Sequence, residues 1–440
     1  MTMHLDWRME DFDARFANLI KSKRENAPDV ENAVSGIVTD VRERGDAALI
    51  DYTEQFDKMR LVPETLKFSS DEIDELSQKA PSHEREALKL AADRICAYHQ
   101  RQIPQNQIWE DESGAILGWK WTSVKAAGLY VPGGLASYPS SVLMNAIPAK
   151  VAGVQRIVIS VPTPNGAINP LVLMAAKLAG VEEIYRIGGA QAIAAMAFGT
   201  ETIAPVDKIT GPGNAYVAAA KRMVFGKVGI DMIAGPSEIL IIADKDNDPD
   251  WLALDLLSQA EHDESAQAIL ITDSKVMASA VEAALERNLA MMERRQIAEA
   301  SWRGYGAIIL VEHMEQAVEL ADKIAPEHLE ICVADPKSLA EKIGNAGAIF
   351  LGAWTPEAIC DYVGGPNHVL PTARSARFSS GLNVLDFMKR TTLAQMNPGA
   401  LAAIGPAAET LAISESLEAH GLSVRARLNR LNDVMPDMRS

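Results

Sequence analysis

Cysteine is scarce in this 440-residue chain, which contains only three cysteines, Cys96, Cys332 and Cys360, far apart in sequence. No two of them form a CxxC pair, and an odd number does not suit a disulfide framework. A chain of this length buries enough surface to fold without cross-links. We therefore exclude a disulfide-stapled scaffold and expect a protein of the reducing cytoplasm.

Uninterrupted apolar runs and excess positive charge are also missing. The uncharged stretch 126–149 is long enough to span a bilayer, but Pro132, Pro139 and Pro148 break it, and acidic residues replace the basic start of a signal peptide. Lys and Arg number 42 against 59 Asp and Glu, which gives a net charge of −17. Such a surface repels phosphate backbones and anionic lipid, so we expect no nucleic acid and no membrane as partner.

Short apolar runs alternate with helical stretches from about residue 156 onward, a pattern typical of parallel sheets built from βαβ units. The runs fall into two series, 157–161, 184–187 and 208–210, then 239–242, 268–271, 307–311, 329–333 and 348–351. Two series of roughly 100 residues each predict an α/β protein with two doubly wound domains. Residues 1–105 are predicted to be mostly helical, 107–124 to form a short strand pair, and the tail from Phe378 to be helical.

Glycine-rich corners follow the predicted strands of the first series. GPGN at 211–214 follows the strand that ends at Thr210, and Gly188–Gly189 and Gly133–Gly134 occupy equivalent positions. Such corners converge at the carboxyl edge of a parallel sheet, where ligands bind and free helix amides hold anions. An ordinary strand-to-helix turn is the alternative, because no GxGxxG fingerprint is present.

Two further patterns carry polar side chains with catalytic or metal-binding chemistry. Gln259 and His262 share one face at a helix end and could share a ligand, or simply form a polar helix end. Glu327 and His328 join a helix to a strand and could serve two proton transfers, or form an exposed acidic turn. His368 and His420 also lie in polar contexts, which permits a zinc site of nitrogen and oxygen ligands. The remaining histidines expected to be ordinary surface residues are His4, His83, His99 and His313.

Taken together, long segments in one order resemble the histidinol dehydrogenase family along most of the chain. They are 128–134 (GLYVPGG), 188–192 (GGAQA), 211–217 (GPGNAYV), 230–238 (IDMIAGPSE), 259–263 (QAEHD), 325–329 (APEHL) and 365–372 (GPNHVLPT). The resemblance implies NAD-dependent oxidation of L-histidinol through the aldehyde to L-histidine, the last step of histidine biosynthesis. It also implies one zinc ion per subunit and a homodimer with shared active sites.

The resemblance carries over site residues one by one. It implies zinc ligands at Gln259, His262 and Asp361, with His420 supplied by the other subunit. The implied catalytic pair is Glu327 and His328, and the implied NAD contacts are Tyr130, Gln191 and Asn214. Substrate contacts fall on Ser237, Glu357, His368 and Glu415, together with the catalytic residues and the zinc ligands.

The implied architecture has two incomplete Rossmann-like domains, a helical N-terminal segment and a C-terminal helical arm. We expect an N-terminal extension at 1–25, a discontinuous domain at 26–130 and 239–377, an inserted domain at 131–238, and an exchanged arm at 378–440. Two positions depart from the family pattern, since Cys360 before Asp361 and Ser416 after Glu415 stand where glycine is usual. Both positions are next to functional residues, so the departures concern the local backbone geometry and not the chemistry.

Two other functions are alternatives to this one. Relatives of the family oxidise sulfonated diols, which are anionic, whereas Glu357 and Glu415 suit a cationic amino alcohol. A non-catalytic NAD- or zinc-binding protein is the second alternative. The presence of Glu327, His328 and all four expected zinc ligands disfavours it.

Overall fold

The computed structural model describes residues 2–21, 28–133, 138–233 and 235–434. The expected boundary at residue 25 lies outside them, as do Gly134 and Ala234 of the motifs. The chain divides into two compact units, one formed by Met1–Gln102 with Val124–Phe387 and the other by Ile103–Ser123 with Met388–Ser440. No helix in the described ranges combines the length and apolar character needed to cross a membrane.

The strands build three sheets. In chain order they are β1 (Met3–Asp6), β2 (Gln107–Glu110), β3 (Ile116–Ser123), β4 (Ala126–Tyr130), β5 (Arg156–Ser160), β6 (Glu183–Tyr185), β7 (Lys208–Thr210), β8 (Gly229–Ile230), β9 (Glu238–Ala243), β10 (Gln267–Thr272), β11 (Ala307–Leu310), β12 (His328–Cys332), β13 (Ala348–Leu351) and β14 (Met388–Gln395). Every strand predicted from the two apolar series is present, within a residue or two at its ends.

Helices separate most of these strands. In chain order they are α1 (Phe12–Lys21), α2 (Pro28–Arg44), α3 (Asp46–Asp57), α4 (Ser70–Gln78), α5 (Ser82–Gln100), α6 (Pro139–Val151), α7 (Pro170–Leu178), α8 (Gly189–Phe198), α9 (Ala215–Val224), α10 (Pro249–Ala260), α11 (Lys275–Leu289), α12 (Arg295–Tyr305), α13 (Met314–Ile324), α14 (Pro336–Ala340), α15 (Glu357–Ile359), α16 (Pro398–Ser414) and α17 (Glu418–Val434). A π-helical turn, Cys360–Gly364, continues α15.

Two of the sheets are parallel and share one topology. The five-stranded sheet has the order β6-β5-β4-β7-β8, and the six-stranded sheet has the order β1-β11-β10-β9-β12-β13. Counting starts at β4 in the five-stranded sheet and at β9 in the six-stranded sheet, with β1 set aside. The first strand then lies between the second and the fourth, as in a doubly wound Rossmann-type sheet that lacks its sixth strand. The predicted α/β fold with parallel sheets is confirmed, and both sheets have an incomplete Rossmann-like order, while their division into two domains stays a prediction.

The six-stranded sheet is buried on both faces because alternate residues of its central strands face opposite layers. Ile239 and Ile241 of β9 pack with α10, α11 and α12, whereas Leu240 and Ile242 pack with α1 and α13. Strand β1 adds to the edge of this sheet, parallel to β11. The described part of residues 1–105 is mostly helical, as predicted, and β1 is an exception, because a short edge strand gains its stability from a partner far away in sequence.

The five-stranded sheet packs with helices from the first part of the chain. Residues of α2 and α3, such as Val34 and Leu49, share a core with Ile193 of α8 and Val217 of α9. Strand β4 pairs with β5 and β7. The expected boundary at residue 130, which grouped 26–130 with 239–377, thus differs from the packing, since local periodicity does not reveal which sheet a helix covers.

The second unit contains an antiparallel sheet in the order β14-β3-β2, and α16 packs with α17. Strands β2 and β3 confirm the strand pair predicted from alternating Trp109, Trp119 and Trp121. Strand β14 corrects the prediction of a helical tail from Phe378, although α16 and α17 after it are helical as predicted. Residues 103–123 thus belong with the C-terminal segment, and not with either parallel sheet.

Candidate functional site

The carboxyl edge of the five-stranded sheet is built from close backbone contacts. Gly211 follows β7 with φ +114°, and a Cβ there would lie 2.1 Å from the carbonyl oxygen of Tyr130 at the end of β4. A Cβ on Gly188 would lie 2.5 Å from the side chain of Pro162. Glycine is required at both corners because any side chain would displace the neighbouring strand end. The corners therefore converge at one edge, as the sequence predicted.

The three expected NAD-contacting residues lie at this edge. The hydroxyl of Tyr130 accepts a hydrogen bond from the backbone N–H of Gly189 at 3.1 Å. Asn214 is the N-cap of α9, where its Oδ1 accepts from the N–H groups of Tyr216 and Val217. Oε1 of Gln191 is buried and has no hydrogen-bond partner within the described ranges. Gln191 lies in the first turn of α8, which has no side-chain cap, and an unpartnered buried oxygen there fits a polar ligand bound at this edge.

His328 opens β12 at the amino edge of the six-stranded sheet, where it is only 3% exposed. Its Nδ1 lies 3.0 Å from the carbonyl oxygen of Glu238, the first residue of β9. Because a carbonyl oxygen only accepts, Nδ1 holds the proton of the neutral ring. Nε2 then keeps its lone pair, and it has no hydrogen-bond partner among the described residues.

The electrostatics of His328 suit a proton acceptor. Burial lowers its pKa, and the nearby Asp361 carboxylate opposes this effect only in part. Asp361 Oδ1 lies 3.7 Å from Nε2. The ring is therefore neutral near pH 7 and can take a proton at Nε2.

Glu327 is also buried, which contradicts the alternative of an exposed acidic turn. Its Oε2 accepts a hydrogen bond from the backbone N–H of Glu238 at 2.9 Å and lies 3.8 Å from His328 Nδ1. Glu238 thus fixes both members of the predicted pair, one through its N–H and the other through its carbonyl. Ser237, another expected substrate contact, is the residue immediately before Glu238.

Glu357 brings a second buried carboxylate to His328. Its Oε1 lies 3.4 Å from Nδ1, and its backbone N–H donates to Oε1 of Glu330 at 2.7 Å. Burial raises the pKa of Glu357 well above its usual value, and the charges of Asp361, Glu330 and Glu327 raise it further. Oε2 of Glu357 is buried without a hydrogen-bond partner in the part of the chain described. So many acids in one buried place favour a bound cation.

His368 lies next to the π-helical turn that carries Asp361. Its Nδ1 lies 2.9 Å from the carbonyl oxygen of Asp361, and its Nε2 lies 3.3 Å from the hydroxyl of Ser141 on α6. Burial lowers the pKa of His368 to about 4, so the ring is neutral near pH 7. Cys360 begins the turn with φ −75° and ψ −32°, an ordinary helical conformation that does not require glycine.

The donor atoms of this cluster fit a divalent metal ion. One atom each from His328, Glu357 and Asp361 lie within 4.8 Å of one another. Gln259, buried at the end of α10, reaches the same place: with its amide nitrogen facing the acceptors, it donates to Oε1 of Glu357 at 3.0 Å. His262 is exposed but close enough to lower the pKa of Asp361, which burial raises overall. Imidazole nitrogen and carboxylate oxygen are zinc ligands.

Two expected site residues belong to the second unit. Glu415 ends α16 and His420 lies in α17, and both are exposed on that unit. Ser416, between the two helices, has φ +60°. This left-handed position just after a helix is one that glycine favours, which explains why serine is a departure there. The other expected substrate and metal residues all lie in the first unit.

Some residues around the site had no sequence prediction. Asp255 of α10 and Glu330 of β12 hydrogen-bond to each other through their side chains. A glutamate inside the apolar run of a buried strand was the signal that could have revealed this pair. His99, expected on the surface, is fully buried: its Nδ1 lies 2.8 Å from the Ile95 carbonyl and its Nε2 lies 3.4 Å from Asn367 Nδ2. Tertiary packing of α5, which periodicity alone did not indicate, buries this ring.

The chain is similar in sequence and fold to known proteins of one family. A family model described as histidinol dehydrogenase matches residues 20–428. The chain is 67% identical over 432 residues to a histidinol dehydrogenase of Ruegeria pomeroyi, covering 98% of this chain and 100% of that protein. It is 64% identical over 431 residues to a histidinol dehydrogenase of Rhodospirillum rubrum, covering 98% of this chain and 99% of that protein. The crystal structure of histidinol dehydrogenase from Elizabethkingia anophelis superimposes with a TM-score of 0.94 at 37% identity, covering 98% of this chain and 99% of that one.

Proposed function

This chain belongs to the histidinol dehydrogenase family, and from that premise we propose that it oxidises L-histidinol through L-histidinaldehyde to L-histidine with NAD. The observation that carries the proposal is the buried His328, whose Nδ1 is held by a carbonyl while Nε2, 3.7 Å from Asp361 Oδ1, has no hydrogen-bond partner among the described residues. The reaction removes four electrons from the substrate. Each NAD accepts two electrons as a hydride, so two NAD are consumed for each histidinol.

The catalytic role of His328 follows from its tautomer. In the first half-reaction, Nε2 accepts the hydroxyl proton of histidinol while the carbon loses a hydride. In the second, water adds to the aldehyde while Nε2 returns its proton to the aldehyde oxygen, and the freed Nε2 then accepts a hydroxyl proton of the resulting hydrate as the second hydride leaves. The carbonyl of Glu238 keeps Nδ1 protonated in both steps.

The carboxylate of Glu327 is the group that we propose activates the water added to the aldehyde. The Glu238 N–H fixes this carboxylate, which lies close to the ring of His328. Because both side chains are buried, the aldehyde is held away from bulk water between the two steps.

A zinc ion is the metal we propose for this site, held by Gln259, His262 and Asp361 with His420 of the partner subunit. A zinc ion held by these residues would supply a Lewis acid that anchors the polar groups of the substrate and so orients the alcohol. The unpartnered Glu357 Oε2 and the clustered carboxylates are the observations that support a cation here. Ser237, His368 and Glu415 are proposed to complete the substrate contacts, and Tyr130, Gln191 and Asn214 those to NAD.

The charge of the site favours a cationic substrate over an anionic one. Glu327, Glu357 and Asp361 surround one buried imidazole. A protonated amino alcohol is attracted to such a site, whereas a sulfonated diol is repelled. This supports histidinol and disfavours the sulfonate alternative.

The decisive assay measures NADH formed for each L-histidinol consumed by the purified protein. We expect two NADH per histidinol, and one NADH per histidinaldehyde. Chelation should abolish turnover, and added zinc should restore it. A stoichiometry of one, or full activity in protein shown to contain no metal, would contradict the proposal.

The homodimer, the exchange of residues 378–440 and a cytoplasmic location are further parts of the proposal. Mixing inactive His420→Ala chains with inactive His262→Ala chains should recover activity, because each hybrid dimer regains one site with all four ligands. Verified hybrids without activity would indicate that the arm serves its own subunit. The three unpaired cysteines support the reducing compartment.

A further inference from the structure

A buried ion pair joins α9 to the segment just after β8. Lys221 of α9 pairs with Asp231, and their side chains are only 3% and 1% exposed. Asp231 also donates its backbone N–H to the Ile209 carbonyl of β7. The motif 230–238 contains this aspartate, but no step proposed above uses it. A buried ion pair often contributes little net stability compared with an apolar pair of the same size. Its role can instead be to hold the neighbouring backbone in one conformation.

Both partners of this pair also bind the peptide groups of Gly211. The backbone N–H of Gly211 donates to Oδ2 of Asp231 at 2.8 Å, and Nζ of Lys221 donates to the Gly211 carbonyl oxygen at 3.0 Å. Gly211 has φ +114°, a conformation that glycine allows but does not enforce. The ion pair therefore selects one conformation of a residue that would otherwise be free to change.

The residue before Gly211 is fixed from the opposite side. The hydroxyl of Thr210 donates to Oδ1 of Asn145 on α6 at 2.9 Å, and Nδ2 of Asn145 donates to the Ser141 carbonyl at 2.8 Å. Thr210 and Asn145 are both fully buried. The start of the 211–214 corner is thus held by side chains on both sides, while Asn214 at its other end caps α9.

We infer that Lys221 and Asp231 are positioning residues for NAD, which hold the Gly211 peptides so that the 211–214 corner fits the bound dinucleotide. The inference rests on the proposed use of NAD at this edge. Neither side chain needs to touch NAD, because both act through the backbone of Gly211. A buried Lys221 that already bonds a carbonyl and a carboxylate has little remaining capacity for a phosphate.

The test compares Lys221→Met with Arg222→Met. Methionine keeps the length and apolar stem of Lys221 but removes the ammonium group. Arg222, the next residue of the same helix, pairs with Glu31 at the surface at 2.9 Å and serves as the matched control. We expect Lys221→Met to raise the Kd of NAD about 10- to 100-fold, as small displacements in a binding site do, and Arg222→Met to leave it unchanged.

Binding is measured by calorimetric titration of NAD without histidinol, and zinc content and histidinol affinity are measured on the same preparations. We expect KM for NAD to rise while zinc content, histidinol affinity and kcat at saturating NAD stay near those of the parent. An unchanged NAD Kd, or a parallel loss of NAD and histidinol binding, would overturn the inference.

Asp231→Asn provides the second variant in case Lys221→Met does not fold. It keeps an oxygen to accept from Gly211 N–H but removes the charge that holds Lys221, so a smaller rise in NAD Kd is expected. An unchanged NAD Kd in folded Asp231→Asn would also overturn the inference. A parent protein that binds NAD but does not oxidise histidinol would refute the proposed function, while the effect of the variants on NAD Kd would still decide the inference.

Discussion

The two parallel sheets share a strand order but differ in which edge carries the candidate site. In the five-stranded sheet the glycine corners lie at the carboxyl ends of β4, β6 and β7, where ligands bind in doubly wound folds. In the six-stranded sheet, Glu238 and His328 are the first residues of β9 and β12, at the amino ends. Strand order alone therefore does not determine which edge of a sheet carries the residues of the candidate site.

The two edges also use different parts of the chain. The carboxyl edge of the five-stranded sheet presents backbone groups to a ligand. The buried charges near this edge, Lys221 and Asp231, neutralise each other. The second places buried side chains of one charge sign around a single imidazole. A sheet edge that presents backbone groups suits a cofactor that binds and leaves in every reaction cycle. An edge that presents ionisable side chains suits proton transfer. Each prediction below tests this difference.

The largest effect is expected from His328→Asn at the amino edge of the six-stranded sheet. Loss of a general base costs about 10²- to 10⁴-fold in rate, and both half-reactions need this base. Oxidation of histidinol and of histidinaldehyde should be assayed separately, with NAD affinity as a reference that stays unchanged. His83→Asn, at an exposed histidine, is the control. A loss confined to one half-reaction would contradict the role assigned to Nε2.

Glu327→Gln should slow the two half-reactions by different amounts. Glutamine preserves the shape of the side chain and an oxygen that accepts from Glu238 N–H, but it does not activate water. Oxidation of the aldehyde should fall about 10²-fold or more, while hydride removal from the alcohol, which needs no water, should fall less. Equal losses in the two assays would instead favour a role for Glu327 in positioning His328.

Gly211→Ala tests the backbone edge of the five-stranded sheet. Its new Cβ would meet the Tyr130 carbonyl, so the corner must move, and we expect NAD affinity to fall about tenfold or more. Gly226→Ala is the matched control, because Gly226 also has a positive φ, +98°, yet no atom lies within 4 Å of the added Cβ. The difference between the two variants isolates the clash from backbone strain. Comparable effects of both on NAD Kd would mean that close approach at Gly211 is unimportant.

The half-buried Asp255 and the buried Glu330, near the six-stranded sheet, predict a pH-dependent stability. Burial raises the pKa of Asp255 to about 6, and burial together with Asp255 raises that of Glu330. A carboxyl whose pKa is raised by folding binds its proton more tightly in the folded state, so stability falls as the pH rises from about 4, the unfolded value, through the folded value. Asp255→Asn should therefore stabilise the protein by about 1–2 kcal/mol above pH 6 and lose this gain near pH 4.

Urea unfolding near pH 4 and near pH 8 measures the effect of Asp255→Asn. Asp231→Asn at the other sheet is an informative comparison, because Asp231 faces Lys221 and not another acid. That variant should be destabilised at both pH values. If Asp255→Asn is destabilised near pH 8 as well, Asp255 and Glu330 do not repel each other as inferred.

The smallest effect concerns a residue with a positive φ, a backbone conformation that favours glycine at this position as it does at Gly211. Ser416 has φ +60° just after α16, so Ser416→Gly should raise the free energy of unfolding by about 1 kcal/mol. Ser414→Gly, at the last residue of the helix, should instead lower it by about 0.5–1 kcal/mol. Thermal unfolding of both variants tests the rule, and a loss for Ser416→Gly would show that the serine side chain contributes more than the strain costs.

Much of the architecture could be predicted from local pattern. The strands of both series are short apolar runs, and runs buried on both faces can be recognised without their partners. The glycine corners were predictable because a residue without Cβ marks close backbone approach. The site residues required the family resemblance, since Glu327 and His328 alone fit an exposed turn equally well.

An α/β fold with parallel sheets, glycine corners and an acidic surface could be predicted without coordinates, because hydrophobic periodicity, glycine positions and composition can be seen directly in the amino-acid order. The pairing of β1 with β11, the burial of His99, the contact of Glu330 with Asp255 and that of Lys221 with Asp231 became visible in the folded chain. The physical reason is that the effect of a buried charge depends on its partner. Each of these partners is brought close by sheet pairing or helix packing, over distances in sequence that no local pattern records.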